Sequence, residues 1–173
     1  WKLVVTYDEQ RAKEIYDDFR SFTKQVWLYP AKDLLFYAAD IHGNLMTRQR
    51  ICVLRHLMED EGGVVVTTVD GLMGHLMPLA FLKQNAVTVE CGQVIDLDEW
   101  KERLTELGYE RMGQVDGMGQ FSIRGGIIDI FPLTEEVPVR IELWDDEVDS
   151  IRTFDLESQR SVEQLESITI YPA

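Results

Sequence analysis

The alternation of apolar and polar positions is clearest between Phe121 and Phe131, where Phe121, Ile123, Ile128 and Ile130 share one face of two short runs separated by Gly125-Gly126. Both glycines accept the positive φ that a two-residue turn demands, so the pattern predicts a β-hairpin with those four side chains in the core. The opposite face then carries Ser122, Arg124, Ile127, Asp129 and Phe131, with Arg124 diagonal to Asp129 and close enough for a cross-strand contact. Val139, Ile141 and Leu143 alternate with Arg140, Glu142 and Trp144, which predicts a third strand with the same division, and Asp145-Asp146 mark the next turn. The alternation falters between Val148 and Ile151, as it does at a bulge, here near Asp149.

Upstream, the period changes. Lys2 to Tyr7 reads as a buried strand, and Asp8 caps a helix in which Ala12, Ile15, Tyr16 and Phe19 recur at helical spacing. Val26 to Tyr29 is a second strand ended by Pro30. A helix from about Thr47 to Asp60 buries Ile51, Leu54, Leu57 and Met58, keeps Arg48 and Arg55 outside, and stops at Glu61-Gly62-Gly63. The β-branched run Val64 to Thr68 fits a strand buried on both faces of a parallel sheet. Gly71 to Leu82 predicts a short helix broken at Pro78, and Val87 to Glu90 a strand that completes the α/β layer near Gly92. Beyond it, Asp96 stands three residues before Glu99 in a capping-box arrangement, Trp100, Leu104 and Leu107 share a helical face, and Gly108 ends the helix. That helix covers one face of a sheet whose first strand is Tyr109 to Val115, while Ile168 to Tyr171 is a strand free to return to the first part. The expectation is therefore an α/β part over residues 1–92, followed by a small α+β part over 93–173 with an antiparallel sheet.

Charge narrows the functional classes. The formal net charge of −14 argues against nonspecific nucleic-acid binding, which needs a basic patch to neutralise phosphates. From Val94 onward seven basic side chains stand among nineteen acidic ones, against ten and twelve before it. A sparse arginine among carboxylates suits a defined protein contact better than a DNA surface. Cys52 and Cys91 lack CxxC spacing and read as free buried thiols in a reducing cytosol, so a cytoplasmic protein is expected. No run reaches transmembrane length and no N-terminal signal pattern is present, so no membrane partner is expected. The chain opens directly in strand chemistry at Trp1, which predicts a start inside a longer protein.

Catalytic and cofactor motifs are weak. The GxxxxGK(S/T) loop of nucleotide-driven motors is absent, so ATP binding in the motor manner is not expected. Asp70 follows a strand where a metal-binding acid can sit, but no phosphate loop faces it, and a surface or capping role is expected. His42 in a loop, His56 in a helix and His75 in an amphipathic segment lack the spacing of a triad or metal site. Asp145-Asp146-Glu147 lacks the glycine and distal glutamate of a calcium loop and reads as a solvated turn. No catalytic residue, cofactor or metal is assigned.

One resemblance covers essentially the whole chain. The order from Gly108-Tyr-Glu-Arg-Met112 through Gly119-Gln-Phe-Ser-Ile-Arg-Gly125, Asp129-Ile-Phe-Pro132 and Arg140-Ile-Glu142 to Asp146-Glu-Val-Asp-Ser-Ile151 resembles domain 2 of the UvrB family. The Gly-Gly after Arg124, Thr153-Phe-Asp-Leu-Glu-Ser-Gln-Arg160 and the upstream Tyr29-Pro…Leu35-Phe-Tyr…Asp40 make it more similar to the UvrB-homology module of the bacterial transcription-repair coupling factors. The Tyr-rich, DNA-gripping hairpin of UvrB itself has no counterpart here. The resemblance implies a degenerate P-loop NTPase-like motor layer for the first part and a non-catalytic module in the second. That module would recruit the damage-recognition ATPase UvrA to RNA polymerase stalled at DNA lesions.

Carried over position by position, the UvrA-binding surface is Arg111, Arg124, Arg140 and Glu142. Ile127 and Phe131 join them as an apolar patch on the arginine face. UvrB has a further arginine where this chain has Ser122, which weakens or re-aims the contact. The family also implies intramolecular contacts with other domains of the parent, and contacts with RNA polymerase and DNA through its other parts. Two other readings remain open at this point: a fragment of an active UvrB-like ATP-dependent DNA helicase, and an intramolecular structural or autoinhibitory domain. On the residues alone, the arginines equally serve to neutralise Asp129 and Glu142 within an exposed sheet.

Overall fold

The computed structural model describes residues 1–31, 40–59, 62–74, 76 and 78–173, and it divides into two compact units, Trp1–Leu79 and Ala80–Ala173. In the first unit, β1 (Lys2–Thr6), β2 (Val26–Tyr29) and β3 (Val64–Thr68) form a parallel sheet in the order β1-β3-β2. The central strand β3 is buried throughout, as its β-branched run requires. Helix α1 (Glu9–Arg20) starts where the Asp8 carboxylate accepts the Arg11 amide at 2.7 Å, satisfying an otherwise orphaned donor. Its inner face packs Ala12, Ile15 and Tyr16 against Val26, Val64 and Val66, whereas Phe19, the last of the predicted row, stays half exposed.

β1 is not the buried strand its composition suggested, because Leu3 and Val5 are exposed. It is an edge strand with one neighbour, and Leu3 borders an open apolar hollow of about 270 Å³ lined also by Trp1, Tyr29, Leu54, Val65 and Leu72. Helix α2 (Asp40–Glu59) begins well before Thr47, so the backbone at His42 is helical rather than looped. It buries Ile51, Val53 and Leu54, while Arg55 lies partly inside beside Glu59 at 3.8 Å. Arg50, unremarked in the sequence pattern, is buried over the Tyr29 ring at 4.3 Å and donates to the Pro30 carbonyl at 2.8 Å. The interruption at Pro78 separates α3 (Val69–Met73) from α4 (Leu79–Asn85), and Asp70 stands exposed in the first turn of α3. Leu35, Phe36, Tyr37, Glu61 and His75 lie outside the described residues.

In the second unit, β4 (Val87–Glu90) does not complete the parallel layer. It pairs antiparallel with β11 (Ser167–Ile170), a partner remote in sequence. Helix α5 (Leu97–Glu106) follows, with the Asp96 carboxylate accepting the amides of Asp98 at 2.8 Å and Glu99 at 3.1 Å, and Gly108 beyond its end at φ 93°. Then come β5 (Glu110–Arg111), β6 (Gln120–Arg124), β7 (Ile127–Ile130), β8 (Val139–Trp144), β9 (Glu147–Phe154) and β10 (Ser161–Leu165). They form a six-stranded sheet in the order β10-β9-β8-β7-β6-β5, antiparallel except for the β5–β6 pair. The strand expected over Tyr109 to Val115 shrinks to the two residues of β5. The chain turns aside at Gly113, whose carbonyl accepts the Ser122 hydroxyl at 3.0 Å, and Tyr109 instead buries its ring and donates to the Tyr171 carbonyl at 2.8 Å. Burial pushes the Tyr109 hydroxyl pKa well up.

The predicted hairpin has the expected register, Phe121 opposite Ile130 and Arg124 opposite Ile127. Its two glycines serve different purposes, however. Gly125 alone takes a positive φ, at 60°, while Gly126 suits a close approach, since a Cβ there would sit 3.0 Å from the Leu143 carbonyl oxygen. The bulge falls where the alternation failed: Glu142 pairs with Ser150 and Leu143 with Val148, leaving Asp149 unpaired. One face of this sheet, with Phe121, Ile128, Ile130, Ile141 and Ile151, closes an apolar core under Trp100, Leu104 and Leu107 of α5 and Val89, Ile168 and Ile170 of the β4/β11 pair. The helix thus covers the apolar face and leaves the arginine face to other uses. The whole is a mixed α/β protein with several sheets.

Candidate protein-binding face

Strand alternation and register set rows across the outer face of the six-stranded sheet. Ser122, Asp129, Arg140 and Arg152 are successive neighbours from β6 to β9, and beside them runs the row Arg124, Ile127, Glu142 and Ser150. At the centre is Asp129, whose side chain is 1% exposed. Its Oδ1 accepts Arg140 Nε at 2.6 Å, and its Oδ2 accepts both Arg140 Nη2 at 2.9 Å and Arg124 Nη2 at 2.8 Å. A buried carboxylate is tolerable only when paired and fully hydrogen-bonded, and here one carboxylate holds two guanidiniums, leaving the trio with a net positive charge.

The two arginines differ in what they offer to solvent. The Arg140 side chain is 14% exposed, pinned in a fork by Asp129, laid over the Phe154 ring at 4.7 Å, and donating through Nη1 to the Gln159 carbonyl at 3.1 Å. The hydrogen bond to Asp129 raises its pKa above the ordinary arginine value. Among the described residues Arg124 makes a single side-chain hydrogen bond, to Asp129, and its side chain is 48% exposed, so it is far more open to solvent than Arg140. Arg111, exposed on the edge strand β5, lines with Arg124 a depression of about 290 Å³ whose floor includes Met112, Gly113 and Ser122. Two guanidinium groups bordering one shallow polar hollow suit a carboxylate from a partner. Glu142 accepts the Ser150 hydroxyl at 2.8 Å and lies 3.6 Å from Arg152, and it remains partly exposed.

The apolar pair expected on this face divides. Ile127 is partly exposed between Arg124 and Glu142. Phe131 does project to the outer side, but at 4% exposure it offers a partner almost no surface. Val115, Phe154, Met118 and Leu156 enclose it, because the chain after Asp155 and the segment before β6 fold over that end of the sheet. Ser122 is likewise buried beneath the Gly113 carbonyl, so no long side chain projects from that point.

A residue that the sequence reading left unassigned stands out instead. Trp144 is 81% exposed, two residues beyond Glu142 on the same strand and in a row with Glu147 and the exposed Val94. Its flank toward the hairpin is bare, since the neighbouring turn is Gly125-Gly126. The signal was present as an aromatic at an outward-facing position next to an Asp-Asp turn. The outer face therefore runs from a capped end at Phe131, through the buried Asp129 centre, to an open end with Arg124, Ile127, Glu142 and Trp144. Among the described residues no group of three or more His, Cys, Asp or Glu side chains is placed to hold a metal ion, and no helix is long and apolar enough to cross a membrane.

Comparison with known proteins gives a consistent picture. A family model described as the UvrB interaction domain matches residues 87–173. The chain is similar over 99% of its length to the transcription-repair-coupling factor of Bacillus subtilis (strain 168), at 41% identity. The proteins of the same name from Staphylococcus haemolyticus (strain JCSC1435) and Staphylococcus aureus (strain MRSA252) match at 36% and 35%. The chain spans about 15% of the length of each of these relatives.

Proposed function

The chain belongs to the UvrB interaction domain family, and from that membership we propose that it is the non-catalytic recognition module of a bacterial transcription-repair coupling factor. In this reading the outer face of the six-stranded sheet binds UvrA and brings this nucleotide excision repair protein to RNA polymerase stalled at DNA lesions. The first unit is a degenerate counterpart of the UvrB motor layer, without a phosphate-binding loop. ATP-driven translocation, polymerase contact and DNA contact belong to other parts of the parent protein.

The observation that carries the proposal is the asymmetry of the two arginines on Asp129. An arginine held at one nitrogen by a buried acid is pre-oriented, so little rotamer entropy remains to be lost when a partner's carboxylate reaches it. Arg140 supplies the second positive charge of the pair and holds the acid in place, while Arg111 adds a further guanidinium from the edge strand. Ile127 and Trp144 supply apolar surface between and beyond the charges, and Glu142 gives a basic group of the partner somewhere to go. Phe131 contributes from beneath, as support for this end of the sheet.

The test is calorimetric titration of the chain with purified UvrA, comparing wild type with Arg124→Ala. Loss of a charge-assisted contact at the centre of an interface corresponds to about 1.5 to 3 kcal/mol, or roughly ten- to hundred-fold in affinity. A folded Arg124→Ala variant that binds within about twofold of wild type removes this face as the UvrA site.

A further inference from the structure

The loop between β9 and β10 is built with more internal order than a connection of its length needs. Asp155 organises it: its Oδ1 accepts the Ser158 amide at 2.8 Å and the Ser158 hydroxyl at 2.7 Å, its carbonyl accepts the Gln159 amide at 2.8 Å, and its own amide donates to the Arg160 carbonyl at 3.0 Å. Gln159 then takes φ 58°, in the left-handed region that side chains with a Cβ seldom adopt. Its side-chain amide donates to the carbonyls of Leu156 at 2.9 Å and Val115 at 3.4 Å, tying the loop to the segment before β6. A left-handed backbone at a residue with a side chain costs free energy, and such a feature persists where the surroundings require it.

What this arrangement yields is a carbonyl aimed at Arg140. The Gln159 oxygen accepts Arg140 Nη1 at 3.1 Å, on the side of the guanidinium away from Asp129. We propose that Gln159 is a positioning residue for the partner-binding face: its left-handed backbone directs its carbonyl onto Arg140 and so fixes how the Asp129 carboxylate is shared between Arg140 and Arg124. With Nη1 engaged by Gln159, the Arg140 guanidinium sits over Phe154 and takes both Asp129 oxygens, and Arg124 keeps one bond to Asp129 and a half-exposed side chain. With the Gln159 carbonyl withdrawn, the Arg140 fork loses its third anchor, Asp129 Oδ2 is released to Arg124, and the exposed guanidinium is drawn inward. Residues that touch no partner thereby set the posture of the one that does.

The inference rests on the reading of this face as the UvrA site, and the experiment separates the two. Gln159→Gly keeps the left-handed backbone open to the chain and the carbonyl in place, whereas Gln159→Val, β-branched, is driven out of that region. In the free protein, the Arg140 Nε–H resonance is expected to exchange slowly with solvent in wild type and Gln159→Gly, and about tenfold or more faster in Gln159→Val. In UvrA titrations Gln159→Val is expected to bind about tenfold more weakly, with Gln159→Gly within about twofold of wild type. Equal Arg140 exchange in all three proteins overturns the positioning role, whatever the binding result. A folded Gln159→Val that binds like wild type also overturns it, provided Arg124→Ala loses binding. If Arg124→Ala binds like wild type, the partner assignment is what fails, and the exchange data still decide whether Gln159 positions Arg140.

Discussion

The two faces of the six-stranded sheet are made by the same strands in alternate positions, yet they are held by different physics. On the inner face, Phe121, Ile128, Ile130, Ile141 and Ile151 are all but fully buried against α5 and the β4/β11 pair, and non-directional apolar burial holds them. On the outer face the centre is a buried carboxylate gripping two guanidiniums, and the margins are exposed. The inner face tolerates a change of shape if volume is kept, while the outer face tolerates little change of hydrogen-bond geometry. A β-sheet can thus keep its stability and its proposed recognition surface in alternate positions of one sequence.

The sharpest way to break that division is from within. Phe121→Ala should destabilise the second unit by about 4 kcal/mol through lost burial and the cavity left behind, measured as a shift in the denaturant midpoint at constant slope. Asp129→Ala should cost about 3 kcal/mol, although it lies on the recognition side, because it strands Arg140 at 14% exposure without its carboxylate. A loss below about 1 kcal/mol there would show that the outer face adds little to folding and that the division is complete. Asp96→Ala removes the cap of the helix over the inner face and should cost about 1 kcal/mol in thermal unfolding, leaving affinity for the proposed partner UvrA unchanged. Unequal affinities would mean that the faces are coupled through the sheet.

The smallest effect concerns pH. Hydrogen bonds from Ser158 hold the Asp155 carboxyl below its ordinary value. A group depressed in the folded state contributes stability above its unfolded pKa, and that contribution is lost as pH falls through the folded value. The exchange protection of the Ser158 amide should therefore be full above about pH 4 and decline below it. In Asp155→Asn this acid-side decline should disappear. A decline that persists in the variant would place the sensitive carboxyl elsewhere.

Much of the second unit was legible because its determinants are local. The Gly125-Gly126 turn, the Arg124 to Asp129 contact, the unpaired Asp149 and the Asp96 cap each depend on residues within one hairpin or one helical turn. What could not be read was set by remote partners. Val87–Glu90 looks like any half-buried strand, and only its pairing with Ser167–Ile170 takes it out of the parallel layer. Phe131 has the alternation of an outward residue, and its burial comes from Val115, Met118 and Leu156, which periodicity does not bring to it. Apolar composition predicted burial for β1, but Leu3 and Val5 lie on an edge strand and remain exposed. In the candidate site, the sequence placed Arg124 and Arg140 on one face. Their unequal exposure follows from Phe154 and Gln159, which lie outside the hairpin.

The unpaired Asp149 has a consequence for how this segment can change over time. Upstream of it, Val148 faces inward beside Leu143 and Glu147 faces outward beside Trp144; downstream, the inward positions are Ile151 and Thr153. The strand is read in two frames, joined at a single residue. Deleting Asp149 would merge the frames without turning any neighbour over: Val148 would follow directly on Ser150 in the ladder and keep its inward place opposite Leu143, and Glu147 would keep its outward place opposite Trp144. What the extra residue adds is local bend and twist at the hairpin tip, while the facing of its neighbours survives both its substitution and its loss. Lineages carrying this sheet are therefore expected to vary at that position in length as well as in composition, with the twist of the hairpin tip as what changes.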